Sequence, residues 1–314
     1  MIARVEWRNP AVGDVEVLAR RAFGADARVL GVRELGGGLY NTTCLVTLAA
    51  GRAVLRIAPE ERRQARIERR LMRNEQAALP HFAPIAAMMP RTLFADWTHD
   101  LVDRDYVWQS VLPGVPAVDG IKRYPRHEWQ PYYRGLGAIT RKVHDVRGER
   151  FGPVAGPWFD SWGDAVLALL HDTAADLVDA GLVARDVEQV ARIVARDKGL
   201  FDAVTEPRLL HGDLWTPNLM LDPDAPEPTV VGVLDHDRAS WGDPLADWGL
   251  SLLAGKPADA RAAFQETYGP TDGPRGLVYR AVHLGAARLE RHRTGRTDRV
   301  RASYDEMAAL IREL

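Results

Sequence analysis

His211-Gly212-Asp213-Leu214-Trp215-Thr216-Pro217-Asn218, followed by Val233-Leu234-Asp235-His236-Asp237, is the stretch that decides how this chain reads. Asp213 and Asn218 share one loop. Asp235 closes the apolar run Thr229-Val-Val-Gly-Val-Leu234, whose length and β-branched content predict a buried strand. The pattern thus offers an acid, an amide and a second acid from two nearby segments.

Phosphoryl transfer needs such a set. The protein's contribution is to position the acceptor hydroxyl and neutralise charge spread over the transferring phosphate. A carboxylate that accepts a hydrogen bond from the attacking hydroxyl suits Asp213. A second carboxylate that holds magnesium, with an amide oxygen completing the shell, suits Asp235 and Asn218. The competing reading is a metallohydrolase whose cluster is His211, Asp213, Asp235, His236 and Asp237.

The motifs HGDLWTPN and VLDHDRASWGDPLADWG resemble those of the aminoglycoside phosphotransferase and choline-kinase-like family of small-molecule kinases, whose catalytic loop reads H-G-D-x-x-x-x-N. The resemblance implies an α+β, bilobal protein-kinase-like fold: an N-terminal antiparallel sheet with one key helix, and a larger, mostly helical C-terminal lobe. It implies ATP or GTP as co-substrate, Mg2+ as the metal, and a small-molecule acceptor bearing a hydroxyl. Asp213 is then catalytic, Asn218 and Asp235 bind metal, and Asp243 and Asp247 brace the loop and start a helix. GGGLYNTT resembles the family's phosphate loop, which places Gly37, Gly38 and Asn41 near the phosphates.

Arg56, in VLRIAP, stands where kinases usually have Lys; it retains the charge but changes the geometry of a phosphate clamp. The open alternative is an edge-strand Arg facing solvent. Glu75, in RNEQAAL, matches the helix carboxylate expected to pair with Arg56, with Glu68 as the fallback. Gln109 to Val111 falls on the expected hinge beside the purine, so the lobes divide as residues 1–111 and 112–314.

Composition agrees with a compact intracellular enzyme. A chain of 314 residues can bury a large core, and a net charge of -2 with pI near 6.5 gives no global reason to expect nucleic acid or an anionic membrane. Cys44 is the single cysteine, so no internal disulfide forms and a cytoplasmic location is expected. MIARVEWRNPAVGDVEV lacks an apolar signal core, and no run approaches the roughly 18 apolar residues of a membrane helix. A monomer or homodimer is expected.

Periodicity predicts a helix over 12–23, strands over 29–35, 44–48 and 53–57, and a helix over 61–79 ended by Pro80. Further helices are expected over 129–146, 164–180 and 184–201, with an irregular Gly-, Pro- and Trp-rich connector over 151–162. His144 and His211 read as packed, structural histidines. Of the tryptophans, Trp215 sits inside the catalytic loop and is the expected substrate contact; Trp241 and Asp237 are the other candidates.

The acceptor class is the least constrained reading. Arg288, Arg291, Arg293, Arg296, Arg299 and Arg301 outnumber nearby acids, which disfavours a polycation, although solvated helix charge explains them equally well. An antibiotic or natural-product kinase is the first reading, and a kinase of a sugar, amino alcohol or nucleoside the second. A nucleotide-binding pseudokinase is the third, disfavoured because Asp213, Asn218 and Asp235 are all present.

Overall fold

The computed structural model describes residues 12–36 and 40–314. Gly37 and Gly38 lie outside the described residues, as does most of the N-terminal stretch read for a signal. The chain divides into two compact units, one built from residues 1–64 and 89–113 and the other from 65–88 and 114–314.

The first unit opens with α1 (Val12–Phe23), whose Val15, Leu18 and Ala19 are buried at helical spacing. β1 (Val29–Glu34), β2 (Thr42–Leu48), β3 (Gly51–Ile57), β4 (Thr92–Asp96) and β5 (Tyr106–Ser110) form one antiparallel sheet in the order β1-β2-β3-β5-β4. Cys44, Val46, Leu55, Ile57, Tyr106 and Trp108 make its core with α1. Arg56 stands on the central strand β3, opposite Thr43 and Val107, and is buried. That position corrects the edge-strand alternative.

The second unit contains α2 (Leu71–Ala78), β6 (Val115–Pro116), α3 (Ala117–Gly120), α4 (Gln130–His144), β7 (Gly152–Pro153), α5 (Trp162–Asp179), α6 (Arg185–Arg196) and α7 (Lys198–Asp202). It continues through β8 (Arg208–Leu210), β9 (Leu219–Leu221), β10 (Val230–Val233), β11 (Ser240–Gly242), α8 (Trp248–Leu253), α9 (Ala258–Tyr268), α10 (Gly276–Arg293) and α11 (Thr297–Glu313). Two small sheets, β10-β9-β6 and β7-β11-β8, sit among these helices. Leu170, Leu177, Val190, Val194, Phe201 and Met307 fill the helical core.

The expected helix over 61–79 is replaced by two short 3-10 turns, Glu61–Arg63 and Arg66–Glu68, and then α2. Arg70 takes φ 56 and interrupts the winding immediately before α2. Asp176 accepts from the backbone N–H groups of Arg66 and Ile67, so those donors serve another helix instead of continuing their own. Pro80 does not end the segment: Leu79–Met88 continues as 3-10 helix, with Pro80 in its opening turn where no N–H is needed. This anchoring also puts residues 65–88 in the second unit, so the division is not a single cut at 111/112.

Two expected helices shift in detail. Residues 184–201 split into α6 and α7 at Asp197, and the connector over 151–162 contains β7 and an antiparallel bridge between Phe151 and Phe159.

Candidate active site

The loop between β8 and β9 begins at His211. Its shape depends on Gly212, which has φ +80 and whose added Cβ would meet the Arg238 carbonyl oxygen at 2.4 Å. Asp247 holds this loop: its carboxylate accepts from the His211 N–H at 2.9 Å, the Gly212 N–H at 3.2 Å and His144 Nε2 at 3.0 Å. Burial would raise the Asp247 carboxyl, but the His144 and backbone hydrogen bonds overcome it and hold the group below the usual carboxylate range. Asp243, four residues earlier, accepts from Leu245 N–H, Arg275 and the Tyr279 hydroxyl, so it caps the 3-10 turn Pro244–Ala246 and ties it to α10. Asp247 braces the loop and stands at the N-cap of α8.

His211 is fully buried between rings, 5.7 Å from Phe82 and 6.3 Å from His236, centroid to centroid. Its Nδ1 accepts from the Asp213 N–H at 3.3 Å, and burial pushes its pKa down to about 4, so the ring is neutral. It is a structural histidine. His144 is another, with Nδ1 at 2.8 Å from the Tyr268 hydroxyl.

Asp213 and Asn218 meet directly. Asn218 Nδ2 donates to the Asp213 carboxylate at 2.7 Å and to its backbone oxygen at 2.9 Å. Burial, then the charge of Asp235, pushes the Asp213 carboxyl up to about 7. A carboxylate so poised near neutrality has the proton affinity of a general base.

Asp235 follows β10 in the left-handed region at φ 63, one of the few settings in which Asp takes a glycine-like backbone. Its carboxylate oxygen lies within 4.8 Å of those of Glu75 and Asp237. Asn74, beside Glu75 on α2, donates to the backbone oxygens of Asp237 and Ala239 at 2.8 Å each, which ties the helix to the strand exit. Glu75 and Asp237 are buried.

Three oxygen acids at this separation suit a hard divalent cation, and no other group of three or more metal-ligating side chains is found among the described residues. The five-residue His and Asp cluster of the hydrolase reading is therefore not assembled. Asp237, expected at the acceptor, lies in this acid trio.

Trp241 also needs correction. It is buried on β11, edge-on to His81 at 4.9 Å and against Gly148, so its faces are covered by protein. Trp215 remains 38% exposed on the loop. Asn41 precedes β2, and its buried Oδ1 has no hydrogen-bond partner among the described residues. Gln109 lies inside β5 between β3 and β4, and Val111 is the first residue beyond that strand.

The arginines of the C-terminal region are partly committed to structure. Arg288 is fully buried, bidentate to Asp186 at 2.6 and 3.0 Å and 3.8 Å over the Tyr304 ring. Arg293 grips buried Glu68 at 2.5 and 2.9 Å, and Arg238 reaches the same carboxylate at 3.2 Å. Arg288 and Arg293 are therefore not a free cationic surface, which removes them from any argument about the acceptor. Sequence reading gave Glu68 only as the fallback partner of Arg56, because nothing in the adjacent letters marks its reach to Arg293 and Arg238.

A braced H-G-D-x-x-x-x-N loop beside an acid trio, with an antiparallel sheet in one unit and helices in the other, defines a small-molecule phosphotransferase. The family model described as "Phosphotransferase enzyme family" matches residues 31–279, and the chain belongs to that family, which acts on hydroxyl acceptors. No curated protein matches. Among solved structures, the chain is similar to a thermostable mutant of aminoglycoside phosphotransferase APH(4)-Ia in ternary complex with AMP-PNP and hygromycin B, at 18% identity and TM-score 0.65, covering 95% of this chain and 98% of that one.

It is likewise similar to the GDP complex of wild-type aminoglycoside 2'-phosphotransferase-IIIa, at 16% identity and TM-score 0.65, with 97% and 99% covered. A fructosamine-3-kinase structure described as putative, from Haemophilus somnus 129PT, matches at 17% identity and TM-score 0.66, with 94% and 96% covered. These likenesses establish the fold.

Proposed function

We propose that this protein moves the γ-phosphate of ATP or GTP to a hydroxyl of a small natural product or antibiotic. The observation that supports this most directly is Asp213, raised to about 7 and bonded to Asn218, together with the Glu75, Asp235 and Asp237 carboxylates. Asp213 orients the acceptor hydroxyl and takes its proton. Mg2+ would be held by Asp235 and Asp237, with Glu75 close by and the Asn218 side-chain oxygen as a further donor. When bound, it neutralises phosphate charge. Arg56 is assigned to the phosphates and to pairing with Glu75, and Asn41, with Gly37 and Gly38, to the phosphate loop. Gln109 and Val111 are assigned to the base.

The nucleotide complexes of the similar structures, AMP-PNP in one and GDP in another, support a nucleoside triphosphate co-substrate. No helix among the described residues is long and apolar enough to cross a membrane, and a cytoplasmic enzyme, monomer or homodimer, is the reading we favour. A kinase of a sugar or amino alcohol is the second reading, favoured by the similarity to the fructosamine kinase structure.

The test is a coupled nucleotide-consumption assay with ATP and with GTP, at several Mg2+ concentrations, against antibiotics, sugars, nucleosides and amino alcohols. Acceptor-dependent formation of nucleoside diphosphate in wild type, and its loss in Asp213→Ala, is the expected result. Phosphate release that needs no triphosphate would overturn the assignment.

A further inference from the structure

Within the second unit, an open concavity lies against the catalytic loop. One wall is Leu214, Trp215 and Thr216, the residues immediately after Asp213; the others come from Tyr132, Tyr133, Leu136 and Thr140 of α4, from Gly249, Leu252 and Leu253 of α8, and from Phe264 of α9. Apolar concavities with a few polar groups beside them are where small molecules bind. The close fit of α8 to the loop depends on Gly249, whose added Cβ would meet the Leu214 carbonyl oxygen at 2.5 Å.

The chemistry of this lining is one-sided. Its walls are aliphatic and aromatic, no carboxylate belongs to it, and its one charged group is the exposed ammonium of Lys256. The Tyr132 hydroxyl donates to Thr216 Oγ1 at 2.9 Å, so even the hydroxyls are partly satisfied internally. A compound with several ammonium groups entering here would lose hydration and find no carboxylate in the lining, Asp259 beside Tyr133 lying outside it, which is costly for each ion. A ring or alkyl body would instead gain roughly 25 cal/mol per Å² of apolar surface covered.

We infer that the cleft takes an apolar or aromatic alcohol, neutral or carrying a single acidic group toward Lys256, and that it excludes polyamine sugars. The inference rests on the phosphotransferase reading above and deepens it by naming the acceptor class. In the reaction, the acceptor oxygen bonds to the γ-phosphorus while the bond to the β-γ bridging oxygen breaks. The electron pair leaves with the nucleoside diphosphate, and the hydroxyl proton passes to the Asp213 carboxylate and then to water. Trp215, partly exposed beside the cleft, stacks against the ring of the bound acceptor.

The experiment measures acceptor-dependent nucleoside diphosphate formation with three sets of probes at matched concentration: aryl-substituted primary alcohols, the same compounds bearing one carboxylate, and kanamycin. We expect turnover with the first two and none with kanamycin. Leu252→Asp places a carboxylate in the wall and should raise KM for the aryl alcohols at least tenfold with kcat changed less than twofold. Lys256→Ala should raise KM for the carboxylated probes alone.

Turnover of kanamycin with KM below that of the aryl alcohols would overturn the acceptor class while leaving the kinase reading intact. Nucleotide binding measured by calorimetry separates the two: no binding of Mg2+-ATP or Mg2+-GTP would defeat the kinase reading itself. Unchanged KM in a folded Leu252→Asp would remove the cleft from acceptor recognition.

Discussion

Asn218 Nδ2 stands 2.7 Å from the Asp213 carboxylate, so the amide that closes the loop is also the hydrogen-bond donor that steadies its base. This bond lowers the proton affinity of Asp213, yet burial and Asp235 outweigh it and leave the carboxyl near 7.

Asp213→Asn removes the proton acceptor while preserving shape. Turnover should fall on the order of 10² to 10⁴-fold. Because the folded-state pKa is raised, the wild-type carboxyl costs stability as pH climbs above the ordinary value of 3.8, and the cost is complete above about 7, where it ionises in place. The variant should therefore show a higher melting temperature than wild type at pH 8 and little difference at pH 4, read by calorimetry.

Activity should carry the same signature. Plotted against pH, kcat/KM for the acceptor should fall on the acid side with a midpoint well above the ordinary aspartate value of 3.8 and near 7. A cation beside Asp235 favours the ionised form, so saturating Mg2+-nucleotide should move the midpoint down. A midpoint near 4 in both conditions would remove Asp213 from the proton-transfer role.

Asp237→Asn leaves the backbone acceptor for Asn74 in place and removes one charge from the acid trio, together with its attraction for Arg238. The Mg2+ concentration at half-maximal activity should rise several-fold, with acceptor KM nearly unchanged. Titration of metal at fixed nucleotide decides it.

Asp247→Ala strands the N–H groups of His211 and Gly212 and one nitrogen of His144. The loss should be about 2–4 kcal/mol in chemical denaturation, the range for opening a buried, multiply bonded carboxylate. Asp247→Asn, which keeps an acceptor, should lose less.

Low pH should destabilise the protein through two rings. His211 and His283 are held neutral by burial, each with its pKa lowered to about 4. Their contribution is present above the unfolded value of 6.5 and is lost as pH falls toward 4, with protons taken up on unfolding. Denaturant midpoints measured from pH 7 to pH 4 should decline steadily, and His283→Gln should flatten some of that slope.

The catalytic loop and the strand before Asp235 were legible because their signals are local: a motif, a glycine with no room for Cβ, and a short β-branched run. α1 and β1 to β3 were legible for the same reason, since burial there follows simple periodicity. Residues 61–79 were not, because Asp176, distant in sequence, takes the N–H groups that a continuous helix would have used. The place of Asp237 in the acid trio and of Trp241 against His81 was not legible for a related reason. Which side a residue faces after the left-handed turn at Asp235 is set by packing against α2 and His81, and nothing in the adjacent letters encodes it.

The six residues of α8 run from the aspartate that clamps the loop to the leucines that face the cleft. On the acceptor assignment proposed above, selectivity and chemistry lie at opposite ends of one short rod, and changes at Leu252 should retune which alcohol is admitted without loosening the clamp at Asp247.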